Sequence, residues 1–245
     1  MKADADPSFE VATIKPSRPD GQGADDGQMG HRVVMRGTTM LFLVGFAYDL
    51  HEKQIAGAPT WMASEKFDLN GVADTPGAPN LAQLKSMIRK LLVERMQMHV
   101  HRETRELSAY VLTVANDGPK MTVSGDDARG LPSLMMQPGF PKVGVMKARN
   151  VTMTNFAQLM QSGVLDRPVV DRTGLTPRYD FLLKWTPDES QFTQVGARMP
   201  APAESADAPS LFTAMTEELG LKLTADKKAA VAVLVVDRVM RPSAN

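Results

Sequence analysis

The chain has 245 residues, 43% of them hydrophobic, which is enough for one large domain or two ordinary domains with a buried core. Its 28 basic residues balance 28 acidic ones, and its cationic runs are short, so a nucleic-acid-binding function is not predicted. The absence of cysteine excludes disulfides, thiolate metal sites and a cysteine nucleophile. No apolar run reaches the roughly 18–20 residues that cross a bilayer, so we predict no transmembrane segment in this chain.

The N-terminal part of the chain is predicted to contain a strand, a loop, a second strand and a helix, in that order. Residues 8–15 alternate in polarity and predict a strand, residues 17–30 are rich in Gly and Asp and predict a loop, and residues 31–36 predict a short strand. Thr38 and Thr39 can cap a following helix. The apolar stripe of that helix consists of Met40, Leu43, Val44 and Ala47.

A second helix and a pair of strands complete the first half. Residues 64–73 predict a strand, and residues 81–96 predict a helix that begins with a capping box of Asn80 and Gln83. Its predicted buried stripe is Leu81, Leu84, Ile88, Leu91 and Leu92, and its predicted solvent-facing side chains are Lys85, Arg89, Lys90 and Glu94. Residues 96–118 predict two strands separated by a brief polar break.

The second half starts with an irregular region. Residues 119–144 carry frequent Gly and Pro and predict a long connecting loop, and residues 153–163 predict a helix. Residues 167–188 predict a short strand, a turn and a long strand. Residues 189–209 are rich in Ala, Pro and Ser and predict a flexible insertion, after which Ser210 caps the last helix.

The two halves resemble each other. Residues 98–112 align without a gap with residues 221–235, and the preceding helices and strands align at nearly constant offsets. We interpret the chain as a duplicated unit, with copies at residues 1–118 and 119–245. The predicted fold class is α+β, with two tandem repeats of a β-α-β-β-α-β-β type unit, antiparallel or mixed sheets, and helices packed on one face. The pattern leaves open whether the repeats share one sheet or form two lobes.

A histidine pair is the most distinctive polar feature. His99 and His101 alternate along a predicted strand with Glu103, so the three side chains share one face. Two imidazoles and a carboxylate suit zinc or copper, but any strand with a polar face produces such a row. Metal binding through His99 and His101 is therefore a minor hypothesis, and we predict no cofactor.

No motif for nucleophilic catalysis or phosphate binding is present. Asp171 follows a short apolar strand and precedes Gly174, a pattern more typical of a turn than of a reactive site. Trp61 follows Pro59 in a loop and predicts either an anchor for a partner or a core residue.

Several segments together resemble a known family. FEVATIKP, QIAGAPTW, the long stretch from LLVERMQMHVHRE to NDGPKM, RPVVDRTGL and the closing VLVVDRVMRPSAN are similar to the uncharacterised DUF3738 family, which forms large paralogous sets in Acidobacteria. The resemblance implies an exported protein, since members often carry a signal peptide and some are fused to BlaR-like sensor peptidases. It supplies no activity and no catalytic residues. A weaker likeness is to the short N-terminal domain of secretins and TonB-dependent receptors.

The favoured function is that of a periplasmic or secreted binding module without catalytic activity. Its partner would be an envelope protein, peptide or glycan, bound by loops or by an edge strand. The candidate binding residues are Trp61, His101, Glu103 and Asp171. The alternative is a hydrolase whose site lies between the two repeats and uses His101, Glu103 and Asp171.

Overall fold

The chain forms two compact units of helices and strands. The structure is a computed structural model that describes residues 1–2, 4–18, 27–125, 133–136, 143–193 and 208–242. Unit 1 comprises Met1–Thr104 and Ala232–Asn245, and unit 2 comprises Arg105–Val231. The predicted boundary between the two repeats, after residue 118, concerns the duplication of the sequence and stays a prediction.

Unit 1 contains a four-stranded antiparallel sheet covered by helices. In chain order its elements are β1 (Phe9–Pro16), β2 (Gly27–Met29), β3 (Arg32–Thr39), α1 (Met40–Tyr48), β4 (Ile55–Ala56), α2 (Trp61–Ser64), β5 (Lys66–Ala73) and α3 (Leu81–Met96). The strand order is β1-β5-β3-β2, and neighbouring strands are antiparallel. Strand β2 lies in a segment predicted as a loop. The prediction was wrong there because pairing with β3 determines the conformation of β2, and its polar sequence does not.

Helix caps and an apolar stripe determine where the helices of unit 1 lie. The Thr39 hydroxyl accepts a hydrogen bond from the Phe42 amide, and Asn80 and Gln83 form the predicted capping box. Ile88, Leu91 and Leu92 of α3 are buried as predicted, with Met87 and Met96. The prediction for Leu81 is wrong: its side chain is 60% exposed, and the buried side chain of the first turn is Gln83, whose amide donates hydrogen bonds to the carbonyl oxygens of Lys2 and Ala5.

Two cations predicted to face water instead hold α1 against α3. Lys85 pairs with Asp49 and lies over the Phe46 ring, and Arg89 donates a hydrogen bond to the carbonyl oxygen of Ala47. Their aliphatic stems cover apolar surface, while their charges lie beside the C-terminal end of α1, where the helix dipole favours cations. The helical period placed these residues on the polar face but did not show which partner covers that face.

Unit 2 also contains a four-stranded antiparallel sheet with helices. Its elements, with the two long strands that both units share, are β6 (His99–Val114), β7 (Thr122–Val123), β8 (Ser133–Met136), β9 (Gly144–Val151), α4 (Met153–Leu159), β10 (Val169–Asp171), β11 (Tyr179–Trp185), α5 (Leu211–Leu219) and β12 (Leu221–Arg238). The antiparallel sheet of unit 2 has the order β7-β11-β9-β8. Helix α4 continues through a wide turn to Val164, close to the predicted helix end at residue 163. Strands β7 and β8 lie within the region predicted as a long loop.

The core of unit 2 is organised around Trp185. This side chain is fully buried, its indole N–H donates a hydrogen bond to the Gln191 side-chain oxygen at 2.8 Å, and the Phe192 ring stacks beside it. Gln191 and Phe192 are themselves buried, although they belong to the segment predicted as a flexible insertion. The indole needs a buried acceptor, and the start of the insertion supplies it. Residues 194–207 of that insertion lie outside the described residues.

The long strands β6 and β12 are neighbours, and each has one part in unit 1 and the other part in unit 2. Each is continuous, so the predicted polar break within residues 96–118 does not interrupt β6. Hydrogen bonding between neighbouring strands keeps the backbone extended where the side chains are polar and exposed. Within unit 1, β4 pairs in parallel with β12 at Leu234 and Val235, and within unit 2, β10 pairs in parallel with β6 at Tyr110–Leu112.

Candidate functional site

A histidine between two carboxylates lies on the exposed face of β6 in unit 1. The Nδ1 atom of His101 lies 2.8 Å from Oδ1 of Asp237, and its Nε2 atom lies 4.0 Å from Oε2 of Glu103. The side chains of His101 and Asp237 are 52% and 46% exposed. The structure therefore brings together two of the predicted site residues, His101 and Glu103, and adds a third.

Asp237 could not be assigned to this group from the sequence. It lies on β12, 136 residues from His101 in the chain, and the pairing of the two strands brings it close. A carboxylate at Nδ1 orients the imidazole and leaves Nε2 directed elsewhere, an arrangement that histidine bases also use. With the imidazole protonated, both nitrogens instead donate toward carboxylates, and the group is a surface ion pair.

The described residues contain no group of three or more His, Asp and Glu side chains with a geometry that could hold a metal ion. His99 is exposed on β6, two residues before His101. The metal hypothesis depended on the two imidazoles sharing one face of the strand. Among the described residues, no third ligand completes a metal site with them.

Asp171 stabilises a turn within unit 2. Its Oδ1 atom accepts hydrogen bonds from the Thr173 amide at 3.0 Å and from the Thr173 hydroxyl at 2.7 Å. Gly174 follows with φ +66°, a conformation that glycine adopts without strain. This is the turn-stabilising arrangement that the sequence pattern also suggested.

Trp61 contacts other residues of unit 1 on more than one side. Its ring meets Phe67 edge-to-face with centroids 6.1 Å apart, and the Arg241 guanidinium lies 5.5 Å from the ring centroid. Arg241 also pairs with Glu65 at 2.8 Å. The half-buried indole is therefore an attachment point for the C-terminal segment of the chain, as well as a candidate partner anchor.

Two aspartates with lowered pKa occupy corresponding places in the two units. The pKa of Asp68 is lowered by hydrogen bonds from the Ser17 hydroxyl and the Gly37 amide. That of Asp180 is lowered in the same way by the Ser124 hydroxyl and the Asn150 amide. Both amide donors have positive φ, so each carboxylate stabilises a left-handed turn of the adjacent strand. We interpret both as structural groups.

The outer edge of β1 is an accessible strand edge of unit 1. Strand β1 has eight residues and lies at one end of its sheet, and no described strand pairs with its outer side. Val11 on this strand is 59% exposed. The alternating pattern of residues 8–15 predicted the strand, but only the sheet order shows that it lies at an edge. In unit 2 the corresponding end strand, β7, has only two residues.

No helix in the described part of the chain is both long enough and apolar enough to span a bilayer.

Among the residues that the structure describes, the fold is that of an α+β protein with an antiparallel sheet in each unit, an accessible edge at β1 and a surface histidine–carboxylate group. The chain belongs to the family described as protein of unknown function (DUF3738), whose model matches residues 42–239. The match confirms the family resemblance seen in the sequence motifs. No curated protein and no solved structure matches the chain.

Proposed function

We propose that this protein is a binding module of the cell envelope without catalytic activity, and that it holds an extended segment of a protein partner along β1. The observation that carries the proposal is the open edge of β1. A strand edge presents a row of backbone donors and acceptors, and an added strand satisfies them while its alternate side chains give specificity.

The hydrogen-bond pattern identifies which backbone groups are available. The Ser17 amide donates to the Lys66 carbonyl, and Thr13 lies opposite Asn70 in the same register. Because inward and outward backbone groups alternate along an antiparallel strand, Thr13 bonds to β5, whereas the N–H and C=O groups of Ala12 and Ile14 point to the outer edge.

The accessible edge is short and bounded. A bulge lies between Phe9 and Val11, and Pro16 at the other end has no N–H group. Bulges, prolines and charged residues commonly protect edge strands from indiscriminate pairing. Here they restrict pairing to the stretch from Val11 to Lys15, which favours a defined partner segment over open-ended aggregation.

A pair of proline substitutions tests the edge. In Ala12→Pro the missing N–H is one that points outward, so we expect little change in stability and loss of the bound partner. In Thr13→Pro the missing N–H belongs to the bond with β5, so we expect a loss of about 1–3 kcal/mol in the free energy of unfolding. The measurements are chemical unfolding and retention of partners from envelope extract, with Thr13→Val as the control that keeps both properties.

A partner that the Ala12→Pro chain retains as well as the wild type would show that the edge is not the binding surface.

The envelope location is supported by the family, since the resemblance implies exported proteins. Fractionation of the native cells tests it: we expect the protein in the periplasmic or secreted fraction, and its recovery with cytosolic markers would contradict the proposal.

The alternative, a hydrolase, is favoured by one observation, the bond between His101 Nδ1 and Asp237 Oδ1. If His101 were a general base, His101→Gln would abolish turnover and Asp237→Asn would lower it by several orders of magnitude, because the imidazole would lose its orienting carboxylate. As a binding module, the wild type should hydrolyse ester, amide and glycoside probes no faster than His101→Gln. Assay of the three chains side by side distinguishes the two functions.

A further inference from the structure

We infer that the segment bound along β1 is β1 of a second copy of this chain, paired antiparallel about Thr13. The inference rests on the proposed function, because it names the partner of the same strand edge. Three properties of the strand support it: the phase of its free backbone groups, the identity of the residues that come opposite each other, and the order of its charges.

The backbone groups fit a two-fold axis at Thr13. When Thr13 lies opposite its own copy, Ala12 comes opposite Ile14 of the second chain, and Ile14 opposite Ala12. These are the two residues whose N–H and C=O groups point to the outer edge, so each Ala12–Ile14 pair exchanges two hydrogen bonds. The dimer would therefore contain four backbone hydrogen bonds across the axis, with Thr13 forming the close pair without hydrogen bonds between them.

The side chains also match in this register. Thr13 points away from the core and meets Thr13 of the second copy, a favourable cross-strand pair. Ile14 is buried and Ala12 half-buried on the core side of the sheet, so their pairing continues an apolar face across the axis. A shift by one residue would place core-side side chains against solvent-side ones and lose this match.

The charges of the strand complement themselves. Lys15 comes opposite Val11 of the second copy, and the bulge between Phe9 and Val11 lets the adjacent Glu10 share the face of Val11. The two-fold axis repeats this contact. Lys15 and Glu10 are both exposed in the single chain. The exposed Val11 side chain would be covered by the aliphatic stem of Lys15. A chain without net charge adds no long-range repulsion to this arrangement.

An unrelated peptide could form the same backbone hydrogen bonds with β1, but none of the described side chains of the strand would select its sequence. A paired stretch of five residues is small for a protein interface, so the self-association should be weak and dependent on concentration.

Charge exchange tests the register. In Lys15→Glu, the new glutamate faces Glu10 of the second copy. In Glu10→Lys, the new lysine faces Lys15 of the second copy. Both variants therefore place like charges together. Each substitution acts twice across the axis, so we expect each to raise the dimer dissociation constant about tenfold. The double variant Glu10→Lys/Lys15→Glu restores opposite charges and should recover wild-type association. An equimolar mixture of the two single variants should form a mixed dimer. The measurement is sedimentation equilibrium at low salt over a range of concentrations, with Lys2→Glu as the control for net charge.

A monomeric wild type at every concentration would overturn the inference, and so would equal weakening by the single and double variants. The proposed function has its own readout in the same chains. If the chain is monomeric but an envelope partner is retained by the wild type and lost by Ala12→Pro, the edge binds another protein and only the identity of the second strand is wrong. If the chain is monomeric and no partner depends on Ala12, both proposals fail.

Discussion

Replacing Trp185 by alanine is expected to lower the free energy of unfolding of unit 2 by about 3–5 kcal/mol, the usual cost of removing a large buried aromatic ring. The side chain is fully buried, and the Cβ that a residue larger than glycine would place at Gly144 would lie 2.5 Å from its ring. The surrounding backbone is thus fitted to the indole, and a cavity there cannot be filled by small movements. Chemical unfolding followed by circular dichroism measures the loss.

Two further variants separate the parts of this effect. Trp185→Phe keeps most of the ring volume but leaves the Gln191 oxygen without the indole donor, so we expect a smaller loss of about 1–3 kcal/mol. Trp61→Ala removes the other tryptophan, which is only half-buried, and should cost less than Trp185→Ala. Equal losses for the two alanine variants would contradict the central place of Trp185.

Removing both structural aspartates, in Asp68→Ala/Asp180→Ala, is expected to cost about 2–4 kcal/mol at pH 7. Each carboxylate accepts one hydroxyl and one amide hydrogen bond, and because both are partly exposed we assign each about 1–2 kcal/mol, the lower part of the range for charged acceptors. The two sites lie in different units and share no hydrogen-bonding partner, so their losses should add. Unfolding curves of the single and double variants measure this.

The same aspartates predict the direction of a pH dependence. Hydrogen bonding lowers the pKa of each below the usual aspartate value, so the folded state binds fewer protons than the unfolded state in this range. Their contribution is complete above the unfolded pKa of about 4 and is lost as the pH falls through the lower folded pKa. The difference in stability between the wild type and Asp180→Ala should therefore be largest near neutrality and shrink below about pH 4.

The isosteric variants Asp68→Asn and Asp180→Asn retain an acceptor oxygen without its charge, so they should be less destabilising than alanine and insensitive to pH over this range. A wild type whose advantage over Asp180→Ala grew with acidification would contradict the structural role. Trp61 and Trp185 are the only tryptophans, and one lies in each unit. Their fluorescence therefore reports separately on the unfolding of the unit with Asp68 and the unit with Asp180.

Local signals in the sequence predicted much of the fold. The threonine ahead of α1 and the capping box ahead of α3 marked both helix starts, because caps depend on residues three positions apart. Periodicity also identified the buried side of α3, apart from Leu81 in its first turn. It failed for Lys85 and Arg89, since a helical pattern shows which side chains are polar but not which element they meet.

The candidate sites were predicted less completely. Strand alternation placed His101 and Glu103 on one face, because that relation depends only on a period of two residues. Asp237 could not be found in this way, since its contact with His101 depends on the pairing of β6 with β12. Likewise, the turn at Asp171 could be predicted because its residues are neighbours in the chain. The contacts of Trp61 could not be predicted, because one of them comes from Arg241 near the C-terminus and the other from Phe67.

The sequence alone determined the α+β class, the positions of the main helices and strands and the membership of a family, because caps, periods and short motifs are properties of neighbouring residues. The tertiary structure alone decided that β1 lies at a sheet edge, that β6 and β12 run on without a break, and that the start of a polar insertion enters the core beside Trp185. Strand order and buried hydrogen bonds depend on residues far apart in the chain, and no local pattern encodes which distant partner will satisfy them.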